Sequence, residues 1–266
     1  MPPRFRSLAC SAVILLSLAC SPGAVAWDAQ RVVRASPDRV MLAADGTLRP
    51  DSMARLATGF AMPGPTCPGS LVVARAGARL VSAWWSVRAD SSATLLSARS
   101  DDGGAHWSNP VPVDTTDQAV TGCRRTPPSI AADSSSGYVH VAYALKGKEG
   151  PGLFFAHSMD MGASFHSPVP IFYGERLGDV SVSADGDEVA VAFDDPNSTI
   201  PRVGLALSRT MGHIFEERLL PVSDDNGAAT HPLVAVRHRR IAVAWERRAA
   251  SDSMPGLVAI RTGTLR

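Results

Sequence analysis

The stretch Ser100–Trp107, which reads SDDGGAHW, contains Ser, Asp, Gly and a terminal aromatic in a spacing that the chain repeats. The same order returns at Ser158–Phe165, SMDMGASF, and at Ser208–Phe215, SRTMGHIF, where Thr210 replaces the aspartate. The copies begin at residues 100, 158 and 208, so they lie 58 and 50 residues apart. Three copies at the same place in successive units indicate a repeat architecture rather than one isolated turn.

The spacing within each copy predicts a hairpin turn and not a reaction centre. An aspartate can accept hydrogen bonds from N–H groups of its own turn, and glycine supplies the positive φ that a tight reversal needs. The terminal aromatic can then pack into the sheet and hold the hairpin there. We therefore interpret the following residues as structural: Ser100, Asp102, Gly104, Trp107, Ser158, Asp160, Gly162, Phe165, Ser208, Gly212 and Phe215.

Short apolar strands surround each copy in a fixed order. A unit opens with a strand such as Ser70–Ala74, SLVVA, and continues through a tight turn into a second strand that ends in an aromatic. The aligned aromatics are Trp84, Tyr143, Phe193 and Trp245. A third strand leads into the repeated turn, and a fourth strand follows it. Four short strands per unit, at a period of about 50 residues, are typical of a β-propeller blade.

The predicted fold class is therefore all-β, a single β-propeller domain over residues 27–266. Four four-stranded blades are expected at approximately 67–115, 123–173, 175–223 and 229–266. The fourth unit reaches Arg266 without an outer strand of its own, so a strand from residues 27–66 would have to close it. The segments RVVR and RVMLAA, within residues 30–44, are the candidates. Five blades are the alternative, if residues 30–66 form a degenerate unit.

The repeated motif S-x-D-x-G-x-x-W/F resembles the Asp-box, or BNR repeat, of sialidase-like β-propellers. The resemblance implies that the turn joins the third and fourth strands of a blade, on the side away from the ligand face. Sialidases of this type resemble six-bladed propellers, and 266 residues are too few for six full units of this length.

The first 26 residues have the composition of a signal peptide. Arg4 and Arg6 form a positive segment, Leu8–Cys20 is an apolar run, and Ala24–Ala26 supplies the small residues of a cleavage site. The alternative is a lipoprotein anchored at Cys20, because Leu-Ala-Cys at that point resembles a lipobox. Either alternative predicts an exported chain, periplasmic or extracellular, and no later segment has the length of a membrane span.

Removal of that peptide leaves two cysteines, Cys67 and Cys123. In an oxidising compartment they are predicted to form a disulfide, and two buried free thiols are the alternative. Neither cysteine has the spacing of a zinc site, and no phosphate loop or other cofactor motif is present, so neither a metal nor a cofactor is predicted. The near balance of 26 Lys and Arg against 25 Asp and Glu indicates no nucleic-acid partner.

Charged residues lie in the loops that precede the predicted inner strands. Propeller geometry brings these loops together around one mouth of the central channel, although they are far apart in sequence. Arginine binds carboxylates through a planar fork of donors. The predicted ligand-binding residues, for a carboxylate-bearing or hydroxyl-rich ligand, are Arg124, Arg125, Glu175, Arg176 and His231. The alternative is a set of solvated loop residues with local ion pairs.

The resemblance to sialidases implies three arginines, an aspartate acid/base and a tyrosine nucleophile activated by a glutamate. Arg125 and Arg176 would supply two of the arginines and Asp179 the acid, while no third arginine is identifiable. The Arg-Ile-Pro motif found near the start of such enzymes has no match here. Tyr143 occupies the repeated aromatic position, which favours packing over nucleophilic attack.

Two further carboxylates directly follow aligned aromatics. Asp194 comes after Phe193, and Glu246 comes after Trp245. Paired carboxylates are the usual apparatus of glycosidases, so this pair is a second catalytic hypothesis, with ordinary strand-end acids as the alternative.

The favoured function is an exported, monomeric propeller that binds a glycan or an exported protein at its channel mouth without catalysis. An exo-glycosidase of sialidase type is the first alternative. A scaffold that contacts an assembly partner through the propeller edges is the second.

Overall fold

A computed structural model describes residues 23–36, 39–53, 67–224, 227–247 and 256–266. These residues form an all-β structure with one turn of 3-10 helix at Pro68–Ser70. The first ten strands are β1 Val25–Trp27, β2 Arg31–Arg34, β3 Val40–Leu42, β4 Leu48–Pro50, β5 Val72–Ala76, β6 Arg79–Val87, β7 Ala93–Ser100, β8 Val111–Asp114, β9 Ser129–Ala132 and β10 Val139–Gly147. The others are β11 Gly150–Ser158, β12 Val169–Tyr173, β13 Val180–Asp185, β14 Glu188–Asp194, β15 Val203–Ser208, β16 Glu217–Pro221, β17 Ala229–Arg237, β18 Arg240–Arg247 and β19 Leu257–Leu265.

The strands form four antiparallel sheets and one hairpin. Sheet one contains β5–β8, sheet two β9–β12 and sheet three β13–β16, each with neighbours in chain order. Sheet four contains β17, β18 and β19, and the hairpin is β3–β4. We call the first strand of each sheet the inner strand, and the end of the sheets where the inner strands begin the entry end.

The outer edge of sheet four comes from the N-terminal part of the chain. RVVR forms β2, which pairs with Leu257–Ile260, and β1 pairs with the last residues of β19, Val25 opposite Leu265. RVMLAA does not join this sheet, contrary to our expectation, because Val40–Leu42 pairs with Leu48–Pro50 instead. Val25 is buried in the apolar core between sheets three and four. The cleavage of the signal peptide after Ala26 stays a prediction.

The sheets follow one another through contacts between their inner strands. β5 packs against β9, β9 against β13, and β13 against β17. Each inner strand also contacts the second strand of the preceding sheet, and β3 contacts β17 and β18 in the same way. The β3–β4 hairpin therefore continues the series of sheets after sheet four. The aligned aromatics Trp84, Tyr143, Phe193 and Trp245 are at most 1% exposed. Tyr143, Phe193 and Trp245 pack in the apolar cores between successive sheets.

Side-chain acceptors on one inner strand bind backbone N–H groups of the next. The Ser129 Oγ accepts from the Val182 N–H at 3.0 Å, and the Ser181 Oγ accepts from the Val234 N–H at 3.1 Å. In each pair the residues are 53 positions apart. The Asp133 carboxylate repeats the pattern on the Gly186 N–H, again 53 positions on. These bonds set the position of sheet three along sheet two, and of sheet four along sheet three.

The three repeated turns have nearly the same hydrogen bonds. In the second turn the Ser158 Oγ accepts from the Gly162 N–H at 2.8 Å, while the Asp160 carboxylate accepts from the Ser164 N–H at 2.9 Å. Burial raises the pKa of Asp160, but hydrogen bonds donated to its carboxylate by the Ser164 hydroxyl, the Ser158 hydroxyl and the Ser164 N–H outweigh it and hold the pKa at about 2. In the third turn the Thr210 hydroxyl accepts from the Ile214 N–H, also at 2.9 Å. A hydroxyl therefore replaces the carboxylate without changing the turn.

The turns join the third and fourth strands of sheets one to three, at the end opposite the entry end. Their terminal aromatics pack to different depths. Phe215 is 7% exposed and meets Phe155 edge to face at 5.0 Å, Phe165 packs on the core between sheets one and two, and Trp107 is half-buried. The first and third turns therefore differ more in packing than in hydrogen bonding.

Cys67 and Cys123 form a disulfide, with their Cα atoms 5.2 Å apart. It joins the loop before β5 to the loop before β9, so it ties the entry ends of sheets one and two together.

We expect Ser158→Ala to lower the free energy of unfolding by about 1–3 kcal/mol, because it leaves the buried Gly162 N–H without an acceptor. Ser158 is fully buried, whereas Ser164 in the same turn is exposed, so Ser164→Ala serves as the control and should cost far less. Urea unfolding of the two variants tests this. Equal losses would contradict the assignment of the buried serine as the acceptor on which the turn depends.

Removal of the disulfide should destabilise the protein by about 4 kcal/mol in the chain-entropy model, because the bridge closes a loop of 56 residues. Thermal unfolding of the Cys67→Ser/Cys123→Ser double variant, compared with the oxidised and reduced wild-type protein, measures this loss. An oxidised protein that unfolds with the same midpoint as the reduced one would argue against the bridge.

Candidate functional site

Four polar side chains from sheets three and four meet at the entry end. Asp179 precedes β13, Asp194 ends β14, His231 lies in β17 and Glu246 lies near the end of β18. The His231 Nε2 is 3.3 Å from the Asp179 Oδ2, and its Nδ1 is 3.4 Å from the Glu246 Oε2. We call these four residues the carboxylate–histidine cluster. All three catalytic candidates from the sequence, and one of the five ligand-binding candidates, therefore converge.

The backbone of β17 aims His231 at the two carboxylates. The pairing of β17 with β18 shifts register between Thr230 and Leu233, and His231 has a φ of 54°. A non-glycine residue in this left-handed region carries a steric cost, and such positions occur at sites where a side chain has been redirected. Because β13 and β17 are neighbours, this irregular backbone directs the His231 side chain across the space between sheets three and four, toward Asp179.

Asp194 lies beneath the other three residues and supports the loop before β13. Its Oδ2 accepts from the Asp179 N–H at 3.1 Å, and its own N–H donates to the Asp179 carbonyl at 3.0 Å. A Cβ on Gly178 would lie 2.5 Å from the Asp194 Cβ, so the close approach requires glycine there. Sequence reasoning missed Gly178, and only its position next to Asp179 pointed to it.

Burial raises the pKa of Asp194 to about 6, against the lowering effect of the Asp179 N–H, and the Asp179 carboxylate adds to the rise. The Asp194 Oδ1 is buried and has no hydrogen-bond partner. A carboxyl group in this position holds a proton more easily than an exposed one does. Asp194 is thus poised between its neutral and charged forms in mildly acidic medium.

The upper three side chains of the cluster are open to solvent. The side chains of His231, Glu246 and Asp179 are 61%, 57% and 32% exposed. Carboxylates accept hydrogen bonds, and imidazole can donate or accept, so this surface can bind a ligand that carries several hydroxyl groups.

Arg125 has a structural position, not the ligand-binding position that we expected. Its guanidinium forms an ion pair with Asp117, and the two side chains are 6% and 1% exposed. It also donates to the carbonyls of Gly122 and Ala119. Asp117 in turn accepts from the Ala93 N–H at 2.9 Å. Sequence reasoning missed Asp117, because nothing in the sequence marks it as the partner of an arginine eight residues later.

The other three predicted ligand-binding residues are exposed but separate from the cluster. Arg176 donates to the Thr199 carbonyl at 3.3 Å, and Arg124 lines a cavity of about 180 Å³ beside Asp117. Within the described residues, no ion pair or hydrogen bond joins Arg124, Glu175 or Arg176 to the carboxylate–histidine cluster. An arginine triad of the sialidase kind is therefore not assembled from the predicted residues.

Tyr143 is fully buried, in agreement with the packing role inferred from the repeat. Its hydroxyl donates to the Asp114 carboxylate at 2.7 Å. Burial and the neighbouring Asp114 charge raise the pKa of this phenol well above its ordinary value. These effects oppose the formation of a phenolate nucleophile.

The inner strands surround a central cavity of about 370 Å³. Its walls combine apolar side chains with Arg39, Asp51 and the serines of the inner strands, and the β3–β4 hairpin lines one side. None of the four cluster residues lines it.

Within the described residues, no three His, Cys, Asp or Glu side chains are arranged to hold a metal ion, and no helix is long and apolar enough to cross a bilayer.

No protein-family model matches the chain, and no curated protein matches it. Similar solved structures include the phage phi92 endosialidase, with a TM-score of 0.50 and 10% identity over 74% of this chain and 36% of that one. The NanB sialidase of Streptococcus pneumoniae gives a TM-score of 0.47 and 12% identity, over 73% of this chain and 30% of that one. A glycosyl hydrolase from Bacteroides ovatus gives 0.39 and 12%, over 71% of this chain and 62% of that one.

The chain spans less than two thirds of the length of each of these three proteins. At identities of 10–12% the likeness shows the fold alone. That fold is all-β and built from four-stranded antiparallel sheets, which is the coarse fold class that the repeat predicted.

We expect Asp194→Asn to stabilise the protein above pH 6 and to have little effect near pH 4. The folded-state pKa is raised from 3.8 to about 6, so the stability that the protonated carboxyl contributes is lost as the pH rises between these values. The gain should approach about 3 kcal/mol at most. Unfolding free energies from pH 4 to pH 8 measure it, with Asp187→Asn as an exposed charge-removal control. A pH-independent difference would contradict the raised pKa.

Proposed function

We propose that this protein is an exported, non-catalytic propeller that binds a hydroxyl-rich glycan at its entry end. The observation that carries the proposal is the convergence of Asp179, His231 and Glu246 at 3.3–3.4 Å on an exposed surface between two sheets. Carboxylates that flank an imidazole offer several acceptors in fixed directions, which suits the hydroxyl groups of a sugar.

Several features favour binding over hydrolysis. The surface of the cluster is open, whereas an active site excludes water from the reacting groups. Arg125 is committed to Asp117, and Tyr143 is buried against Asp114, so the groups that a sialidase mechanism needs are occupied elsewhere. Asp194 has a raised pKa, but its Oδ1 is buried away from any ligand.

A glycosidase that uses Asp194 as its general acid is the second candidate, and the pKa of about 6 is the observation that favours it. It would need a movement of the loop before β13 that exposes the carboxyl group. An exported protein as ligand, or a scaffold role, would use the same entry end or the sheet edges instead.

Export rests on the N-terminal composition and on the disulfide, which suits an oxidising compartment. The predicted signal peptide lies largely outside the described residues, as does Cys20, the site of the alternative lipid anchor. The proposed localisation is periplasmic or extracellular, and the proposed form in solution is a monomer.

We expect Glu246→Gln and His231→Ala to weaken glycan binding by about tenfold or more, because each removes a charge or a ring from the exposed surface. Glu175→Gln is the matched control, since Glu175 is an exposed acid of the same rim outside the cluster. A glycan array on the secreted protein would find the ligand, and calorimetry would measure the affinities. Equal affinity in all the variants would refute the proposed surface.

Hydrolysis of a panel of fluorogenic glycosides, sialosides included, separates the two candidates. No turnover by a folded sample that binds glycan would support the proposal. Turnover that disappears in Asp194→Asn would replace it with the glycosidase.

A further inference from the structure

Four histidines lie between sheets two and three, at the end opposite the glycan surface proposed above. His140 is on β10, His157 is on β11, His166 follows the second repeated turn, and His213 belongs to the third. The His157 ring centroid is 4.7 Å from that of His166 and 4.5 Å from that of His213. We call these four residues the histidine seam, because they join a turn of sheet three to the strands of sheet two.

The third turn sits closely on the face that the seam covers. A Cβ on Gly212 would come within 2.4 Å of the Phe155 ring and 3.6 Å of the His140 Nδ1. Phe215 meets the same Phe155 ring edge to face at 5.0 Å. The turn therefore packs directly on an aromatic layer that includes His140 and His157, which we call the inner histidines. Because the packing is close, any expansion of this layer would displace the turn.

Three ring nitrogens in the inner part of the seam, on His140 and His157, are buried without a hydrogen-bond partner among the described residues. His140 is fully buried, and neither of its nitrogens has a partner. His157 is 8% exposed, and its Nε2 likewise has none. An uncharged imidazole can tolerate this position, whereas an imidazolium there would be a buried charge with donors left unpaired.

The groups that face the two inner rings add to this effect. His157 and His213 oppose a charge on His140, and His213 and His166 oppose a charge on His157. The Asp133 carboxylate acts the other way on His140, but it also accepts hydrogen bonds from Ser135 and the Gly186 N–H. Among the described residues, the Tyr138 hydroxyl is a further polar neighbour of the seam and lies 3.3 Å from the His213 Nε2.

We propose that the histidine seam is an acid-sensitive latch, which holds the third turn against sheet two while its rings are neutral and releases it when the buried rings take up protons. The latch lies on a different face from the proposed glycan site and does not depend on that function. It gives an exported protein a way to loosen one seam between sheets in mildly acidic surroundings while the disulfide still joins sheets one and two.

The direction of the pH effect follows from the two inner rings. Burial, with the neighbouring histidines, lowers the pKa of His140 and of His157 from 6.5 to about 4 in the folded protein. The unfolded chain therefore binds more protons, and stability is lost as the pH falls from about 6.5 toward 4. Between pH 7.5 and pH 5 the opening constant should rise by roughly 30-fold for each ring that becomes exposed.

Hydrogen exchange of the full chain at pH 7.5 and pH 5, corrected for intrinsic rates, tests where opening occurs. We expect protection of the amides in Ser208–Phe215 to fall by at least 30-fold at pH 5 relative to Ser100–Trp107, the first turn, which has no such seam. An equal change in the two turns would overturn the proposal.

Substitution tests whether the inner rings are the cause. His157→Phe and His140→Phe keep an aromatic ring and remove its protonation, so each should flatten the pH dependence of unfolding between pH 7.5 and pH 5. His106→Gln is the control, because His106 belongs to the first turn and its side chain is 90% exposed. An unchanged pH dependence in both Phe variants would contradict the latch.

If either Phe variant fails to fold, NMR titration of the wild-type histidines decides the same question. Two rings that stay neutral in the native state down to pH 5, while exchange with an open form of the third turn increases, support the proposal. Four rings that all titrate near pH 6.5 overturn it.

Discussion

Within the described residues, sheets two, three and four share no backbone ladder with one another, so bonds from inner-strand side chains to the next sheet set their alignment. Ser129, Ser181 and Ser183 each accept from a backbone N–H of the next inner strand, 53 residues later. Apolar packing between sheets is non-directional, whereas a hydrogen bond of about 3 Å fixes a position along the strand. The histidine seam spans sheets two and three and the carboxylate–histidine cluster spans sheets three and four, so both depend on this alignment.

The two ends of the sheets differ in structure. At the entry end, loops and the irregular pairing of β17 bring polar groups to the surface. The backbone of His231 is in the left-handed region, and its ring lies beside Asp179. At the other end the repeated turns close the hairpins with internal hydrogen bonds, and one of them rests on buried imidazoles. A rigid set of short sheets allows both, because loops can vary while the strands keep their positions.

The sequence predicted the strands well, because each is short, apolar and bounded by turn residues. It predicted the aspartate of the repeated turn as an acceptor of a backbone N–H, as Asp160 is, but it did not name the Ser158 hydroxyl, which accepts from the Gly162 N–H. It failed at Arg125, because a guanidinium in a loop reads the same whether it faces a ligand or a buried Asp117. It also assigned RVMLAA to the outer edge of sheet four, since a hairpin partner at Leu48–Pro50 is as compatible with the pattern as a sheet edge.

The sequence by itself determined the all-β class, the repeat and the short list of polar residues near the inner strands, and it predicted the disulfide with two free thiols as the alternative. These follow from local chemistry: alternation, turn residues, and the small number of cysteines. Only the tertiary structure decided which of those polar residues meet. Asp179 and Glu246 are 67 positions apart in the chain, and they come together through His231 because the packing of β13 against β17 sets sheet three beside sheet four. The tertiary structure also decided which polar side chains are buried, since a side chain loses its contact with water only when other sheets cover it.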